Sequence, residues 1–181
     1  DDDDDDDDDD DEDDDNDDSN DDDGACETIE EMIKSNPTLS HFSDLFDIAT
    51  STEEYYTDAD TWTVFAPTDD AFDDSGIVIV GLSDYTAISL LLFHEVKDKV
   101  LTSADLICKA GENLIEMGSG QSTRTICDKD DSPEGQKGGG NVDPADFVGV
   151  DMKGCNGVLH IIDKVLLPPK AVKWYTTLDL P

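Results

Sequence analysis

Basic residues are scarce: 11 Lys and Arg stand against 48 Asp and Glu in 181 residues, a formal net charge of −37. So acidic a balance disfavours nucleic acid and anionic membrane surfaces as partners. No apolar run approaches the ~18–20 residues of a membrane span. The four cysteines include no Cys-x-x-Cys spacing, which argues against zinc and dithiol redox motifs. The three histidines are dispersed, and although His94-Glu95 starts like a zinc-protease motif, Asp98 stands where the second metal histidine belongs. There is no Gly-x-Ser-x-Gly elbow, and the glycines at 118–120 and 138–140 lack the lysine and following helix of a phosphate loop. No catalytic residue and no cofactor are therefore expected. No Asn-x-Ser/Thr sequon occurs, since Asn36-Pro37-Thr38 is excluded by its proline. With no initiator Met and no signal peptide in view, the chain reads as processed or as a fragment.

The charge is unevenly spread. Residues 1–23 hold twenty acids and no base, which leaves 28 acids against 11 bases in residues 24–181, a net of −17. Like-charge repulsion and the lack of any apolar side chain predict an extended, disordered tail over residues 1–24. It suits a solvating spacer, or a polyanion that collects Ca²⁺ or cationic polymers. Calcium takes about six to eight oxygens, which a flexible carboxylate string supplies loosely. Binding would be diffuse, spread over positions such as Asp1, Asp10, Asp13 and Asp21 rather than held at one metal site.

Order is expected from Gly24 onward. Cys26, Ile29, Met32 and Ile33 share a helical face with Glu27, Glu30 and Glu31 outside it, and Asn36-Pro37 ends the helix. Ser40 or Ser43 is placed to cap a second helix, along which Phe42, Leu45, Phe46 and Ala49 recur at helical spacing. His41 falls beside that stripe as a surface residue. After an acidic loop around Tyr55–Asp60, residues 61–67 read as a strand stopped by Pro67, and Thr68 caps a short helix with Asp69 and Asp70 at its positive end. Near the C-terminus, Asn156-Gly157 reads as a tight turn whose residues tolerate positive φ. The following Val158-Leu159-His160-Ile161-Ile162 is apolar on both alternating faces, as in a central strand, and Pro168-Pro169 closes it.

Two stretches carry a resemblance. Thr-Val-Phe-Ala-Pro-Thr-Asp-Asp-Ala-Phe at 63–72 and Asn-Gly-Val-Leu-His-Ile-Ile-Asp-Lys-Val-Leu-Leu-Pro-Pro at 156–169 resemble, in order and separation, the two signature boxes of the fasciclin domain family. The resemblance covers roughly residues 25–170 and leaves 171–181 as a C-terminal extension. It implies an α+β fold, a β-wedge of two small sheets flanked by several helices. It also implies extracellular adhesion or matrix assembly without catalysis. Between the boxes, Tyr85, Ile88, Leu91 and Leu92 suit a buried helix leading to Phe93-His94, which resembles the family's Tyr-His motif, linked to integrin binding in animal matrix members. Phe93 lacks the phenolic hydroxyl, and the residues favour a core histidine bonded to backbone near the central strand. Asp151-Met152 resembles an adhesive Asp-Ile pair of matrix members, though an ordinary strand approach to the turn explains it as well. Thr102 to Leu106 reads as a capped helical turn.

Leu114–Met117 and Gln121–Cys127 read as hairpin arms around Gly118-Ser119-Gly120, followed by a polar, Gly-rich mobile loop from Asp128 to Gly140. Asp128, Asp130 and Ser132 start like a calcium loop, but Pro133 and Gly139 occupy the positions that need Gly and Glu, so an EF-hand is rejected. Of the three pairings open to four cysteines, Cys108–Cys127 across the hairpin and Cys26–Cys155 tying the start of the domain to its end have the best local logic. An even count suits an oxidising, extracellular or cell-surface location. The expected function is a secreted or cell-surface adhesion module binding an extracellular protein or glycan. The rivals are a cation- or mineral-associated polyanion acting through residues 1–23 and a soluble domain with an apolar ligand cleft.

Overall fold

The computed structural model describes residues 26–51 and 61–169. The expectations for the tail, for the acidic loop around Tyr55–Asp60 and for the extension 171–181 lie outside the described residues. Helix α1 (Ile29–Ser35) starts three residues later than its apolar stripe suggests. Thr28 is its N-cap, accepting from Glu31 N, while the Glu31 carboxylate accepts from Thr28 N, and these bonds hold that carboxyl below its ordinary range. Cys26 therefore precedes the helix and is exposed rather than lying on its buried face.

Helix α2 (Ser40–Thr50) corrects another expectation, because neither Ser40 nor Ser43 caps it. The cap comes from elsewhere in the chain: Asp69 Oδ1 accepts from His41 N at 2.8 Å and Oδ2 from Ser40 Oγ at 2.8 Å. Burial opposes the charge on Asp69, but these bonds outweigh it and lower its pKa. Asp69 opens α3 (Asp69–Ser75), which Thr68 caps as expected. One carboxylate thus joins the starts of two helices. His41 is half-buried, its ring edge-on to Phe72 at 6.0 Å. In α4 (Asp84–Leu92) the buried residues are Ala87, Leu90 and Leu91, whereas Tyr85 is 72% exposed, so the buried stripe lies on the helix face turned away from Tyr85.

The strands are β1 (Trp62–Pro67), β2 (Glu95–Lys97), β3 (Leu114–Glu116), β4 (Ser122–Cys127), β5 (Pro133–Lys137), β6 (Ala145–Gly154) and β7 (Gly157–Ile162). They form one mixed sheet in the order β2-β1-β7-β6-β5-β4-β3. Strand β6 belongs to both parts of the wedge: Ala145 and Asp146 pair with β5, and Phe147 to Gly154 pair with β7 through two register shifts. Such irregularities bend a strand and let one strand serve two sheets. β1 and β7 run parallel from Trp62↔Gly157 to Pro67↔Ile162, so β7 is central and buried along its whole length. Its two faces feed two cores. Leu159 and Ile161 join Ile33, Phe42, Phe72 and Leu90 against the helices, while Ile162 joins Phe65, Phe93, Val96 and Met117 on the other side.

The turn into β7 differs in cause from its dipeptide signature. Asn156 has no positive φ; its side-chain Oδ1 accepts from Ile29 N at 2.9 Å and pins α1 to the turn. Gly157 is required by close approach, since a Cβ there would sit 2.0 Å from the carbonyl oxygen of Trp62. The expected mobile loop 128–140 is corrected as well, because it contains β5. Asp128 Oδ1 accepts from the amides of Asp130 and Ser132 and closes a tight turn, and Gln136 is buried between the hydroxyls of Thr123 and Thr125. Polar composition misleads here because this face is satisfied by side-chain hydrogen bonds instead of apolar packing. Both disulfides form as paired from sequence, Cys26–Cys155 and Cys108–Cys127.

Candidate functional site

Phe93 and His94 follow α4 directly, and neither has any exposed surface. His94 Nδ1–H donates to the Leu90 carbonyl at 2.8 Å, and Nε2 accepts from Leu166 N at 2.9 Å. The neutral ring meets both demands with one tautomer, a donor at one nitrogen and an acceptor at the other. Burial pushes its pKa down to about 4. Its own carbonyl accepts from Phe65 N at 2.8 Å. A single residue therefore ties α4, β1 and the segment leaving β7. Packed this way, the pair offers no atom to a partner in the folded domain.

Asp151 is placed differently. It sits at a register shift of β6 with φ of 58°, a conformation that costs a non-glycine residue about 1 kcal/mol or more unless contacts hold it. The contacts are Ser103 N to Oδ1 at 2.6 Å and Ser103 Oγ to Oδ2 at 2.5 Å. The Ser103 hydroxyl is the main cause of a lowered carboxyl pKa. Ser103 begins the 3-10 turn Ser103–Asp105, where Thr102 and Asp105 form a capping box. Asp151 N donates to His160 Nδ1 at 3.3 Å, and His160 Nε2–H donates to the Leu101 carbonyl at 2.8 Å. The His160 ring stacks on Phe65 at 5.3 Å and meets Phe147 at 5.7 Å, and burial lowers its pKa. Met152 is half-buried against the helical core.

The structure thus keeps the two sequence candidates apart in role. Phe93-His94 is interior, and Asp151-Met152 lies at a half-exposed joint of β6. Sequence reasoning missed Ser103 and His160 as the partners of Asp151. The available signal was His160 itself, the one polar residue in the middle of an otherwise apolar central strand. Beside the joint, β6 exposes Val148 (61%) and Val150 (43%). The diffuse calcium positions Asp1, Asp10, Asp13 and Asp21 lie outside the described residues. Among the described residues, no group of three or more His, Cys, Asp or Glu is placed to hold a metal ion. No helix of the described residues is long and apolar enough to cross a membrane.

The fasciclin domain family model matches residues 37–168, which spans α2, the parallel β1–β7 pair, the first box and all of the second but Pro169. The chain belongs to the fasciclin domain family. Protein sll1483 of Synechocystis sp. (strain ATCC 27184 / PCC 6803 / Kazusa) is 32% identical over 117 residues, covering 60% of this chain and 56% of that protein. Among solved structures, the FAS1 domain pair from the insect cell adhesion molecule Fasciclin I matches with a TM-score of 0.62 at 19% identity. That match covers 81% of this chain and 52% of the pair, and it establishes the shared fold. The chain spans little more than half the length of either relative. Fasciclin domains are generally adhesion modules, usually extracellular or at the cell surface, and the two disulfides of this one fit such a compartment.

Proposed function

We propose that this fasciclin domain is a secreted or cell-surface adhesion or extracellular-matrix module that binds proteins or glycans and performs no catalysis. The observation that carries the reading is the β6 surface, where exposed Val148 and Val150 adjoin the joint of Asp151 and Met152. Apolar side chains held exposed on a hydrogen-bonded strand suit a packed protein contact better than a solvated face. The buried Phe93-His94 pair contributes by holding the wedge together. A Val148→Asp, Val150→Asp double variant is expected to stay folded with only a modest drop in melting temperature, because both side chains are already largely or partly exposed. It should lose at least about tenfold in attachment to cells or matrix, the scale of an interface anchor. Full attachment by a folded double variant would remove β6 from the account.

A second reading is favoured by the twenty acids of residues 1–23, a cation- or mineral-associated polyanion anchored by the domain. It predicts that the full chain binds several Ca²⁺ ions with dissociation constants on the order of 10⁻³ M, like loose extracellular sites. A chain lacking residues 1–23 should bind few or none in calorimetric titration. Equal uptake by the two would move the cation sites into residues 24–181. Tail-driven binding should also collapse at high ionic strength, whereas a packed β6 contact should lose little.

A further inference from the structure

Arginine occurs once in the whole sequence, at Arg124 on β4. The β4–β5 register sets Lys137 directly opposite it, and the β3–β4 register sets Leu114 on its other side. Like charges directly opposite on neighbouring strands repel. In a domain carrying 28 acids, the natural remedy is a carboxylate between them. Among the described residues none supplies it: no Asp or Glu forms an ion pair with Arg124 or Lys137. Lys137 Nζ turns aside to the Val142 carbonyl at 2.5 Å, and Arg124 stays exposed. Glu116, opposite Ser122 on the same sheet, is exposed and pairs with neither cation.

These two cations line a cavity of about 390 Å³ together with Leu114, Ser122, Ile126 and Gly139. The segment beside Lys137 is held by glycines that pack too closely on residues 167–169 to tolerate a side chain. A Cβ at Gly138 would lie 2.2 Å from the Leu167 carbonyl oxygen, and one at Gly139 would lie 2.7 Å from Pro169. The walls thus combine two cationic groups, a hydroxyl and two aliphatic side chains. A guanidinium accepts a carboxylate through two parallel N–H donors, and an ammonium adds a point charge beside it. The surrounding field sets the limit on charge. With a net of −17 over residues 24–181, long polyanions are repelled and a singly charged group is admitted.

Resting on the adhesion reading above, we propose that the cavity over β3, β4 and β5 is a binding site for a sugar acid, with Arg124 and Lys137 holding the carboxylate of one uronate unit. Such a unit presents one carboxylate, several hydroxyls for Ser122 and the backbone, and a C–H face for Leu114 and Ile126. The partner glycan is one in which uronate units are isolated among neutral sugars.

The test uses the full chain and glucuronic acid as probe, followed by amide chemical shifts. Millimolar glucuronate should shift the amides of residues 122–126 and 137–139, and glucose at the same concentration should not. Arg124→Gln should weaken binding about tenfold or more, the loss of a charge-assisted pair. Its melting temperature should be unchanged or raised, since the Arg124–Lys137 repulsion is gone. Lys137→Gln should weaken binding less. No shift with glucuronate, equal shifts with glucose, or unaltered binding by a folded Arg124→Gln variant would each overturn the proposal. N-acetylaspartate amide serves as the rival carboxylate; binding tighter than glucuronate assigns the cavity to an acidic peptide and overturns the sugar. Attachment through β6 is read separately, so an empty cavity in a chain that still attaches sinks this inference alone.

Discussion

Acidification to about pH 4 is expected to strip about 3 kcal/mol from the folded domain through one side chain, His94. Its pKa is 6.5 when unperturbed and about 4 in the fold, because burial penalises the imidazolium and Nε2 is already committed to Leu166 N. The unfolded chain therefore binds the proton first. The stabilising effect is complete above about pH 6.5 and is lost as pH falls through the window down to about 4. His160, lowered by burial too, acts in the same direction. The check is urea unfolding at about pH 7.5 and pH 4 for the natural chain and for His94→Gln, which cannot take a proton there. The natural chain should lose about 3 kcal/mol more than the variant, and parallel losses would show that His94 is not held neutral.

Opening Cys26–Cys155 should cost more than opening Cys108–Cys127, although each is one bond. The first spans 129 residues and the second 19. In the chain-entropy treatment these loops are worth about 5 and about 3 kcal/mol. The Cys26–Cys155 link also sits where Cys155 N donates to the Glu27 carbonyl and Asn156 receives Ile29 N, so its loss loosens the seat of α1. Paired Cys→Ser variants, compared by melting temperature, should rank in that order. The reverse ranking would mean that local structure in the unfolded chain outweighs loop length.

Much of this fold is legible because its signals are local. The Thr68 cap, the Asn36 stop and the two apolar faces of β7 each rest on neighbours in sequence. What stayed hidden depends on distant partners. Asp69 caps α2 from 28 residues away, and Asp151 takes its shape from Ser103, 48 residues earlier. β5 was hidden for a different reason. Its buried residue is Gln136, and its Gly135 is demanded by the Ala145 carbonyl, which would lie 2.2 Å from a Cβ. A strand built on a glutamine and a glycine looks like a loop to any pattern based on hydrophobicity. The cavity cations were equally mute, since only the β4–β5 register brings Arg124 and Lys137 together.

The position of β7 also dictates when the domain is able to form. β7 is the last of the described strands yet central in space, the parallel partner of a β1 whose residues lie 95 positions earlier, as in Trp62↔Gly157. Without β7, β1 has only the three-residue β2 beside it, and the backbone groups of its other edge are left unpaired, with Val64 and Ala66 on one face and Phe65 on the other. Such non-local pairing is slow, and an open apolar strand edge invites the wrong neighbour. In the finished fold residues 157–162 lie between β1 and β6 and bring Cys155 up to Cys26. A chain that ends before residue 157 is expected to leave that edge of β1 unpaired and to aggregate more readily than the whole domain, which light scattering of the two would compare.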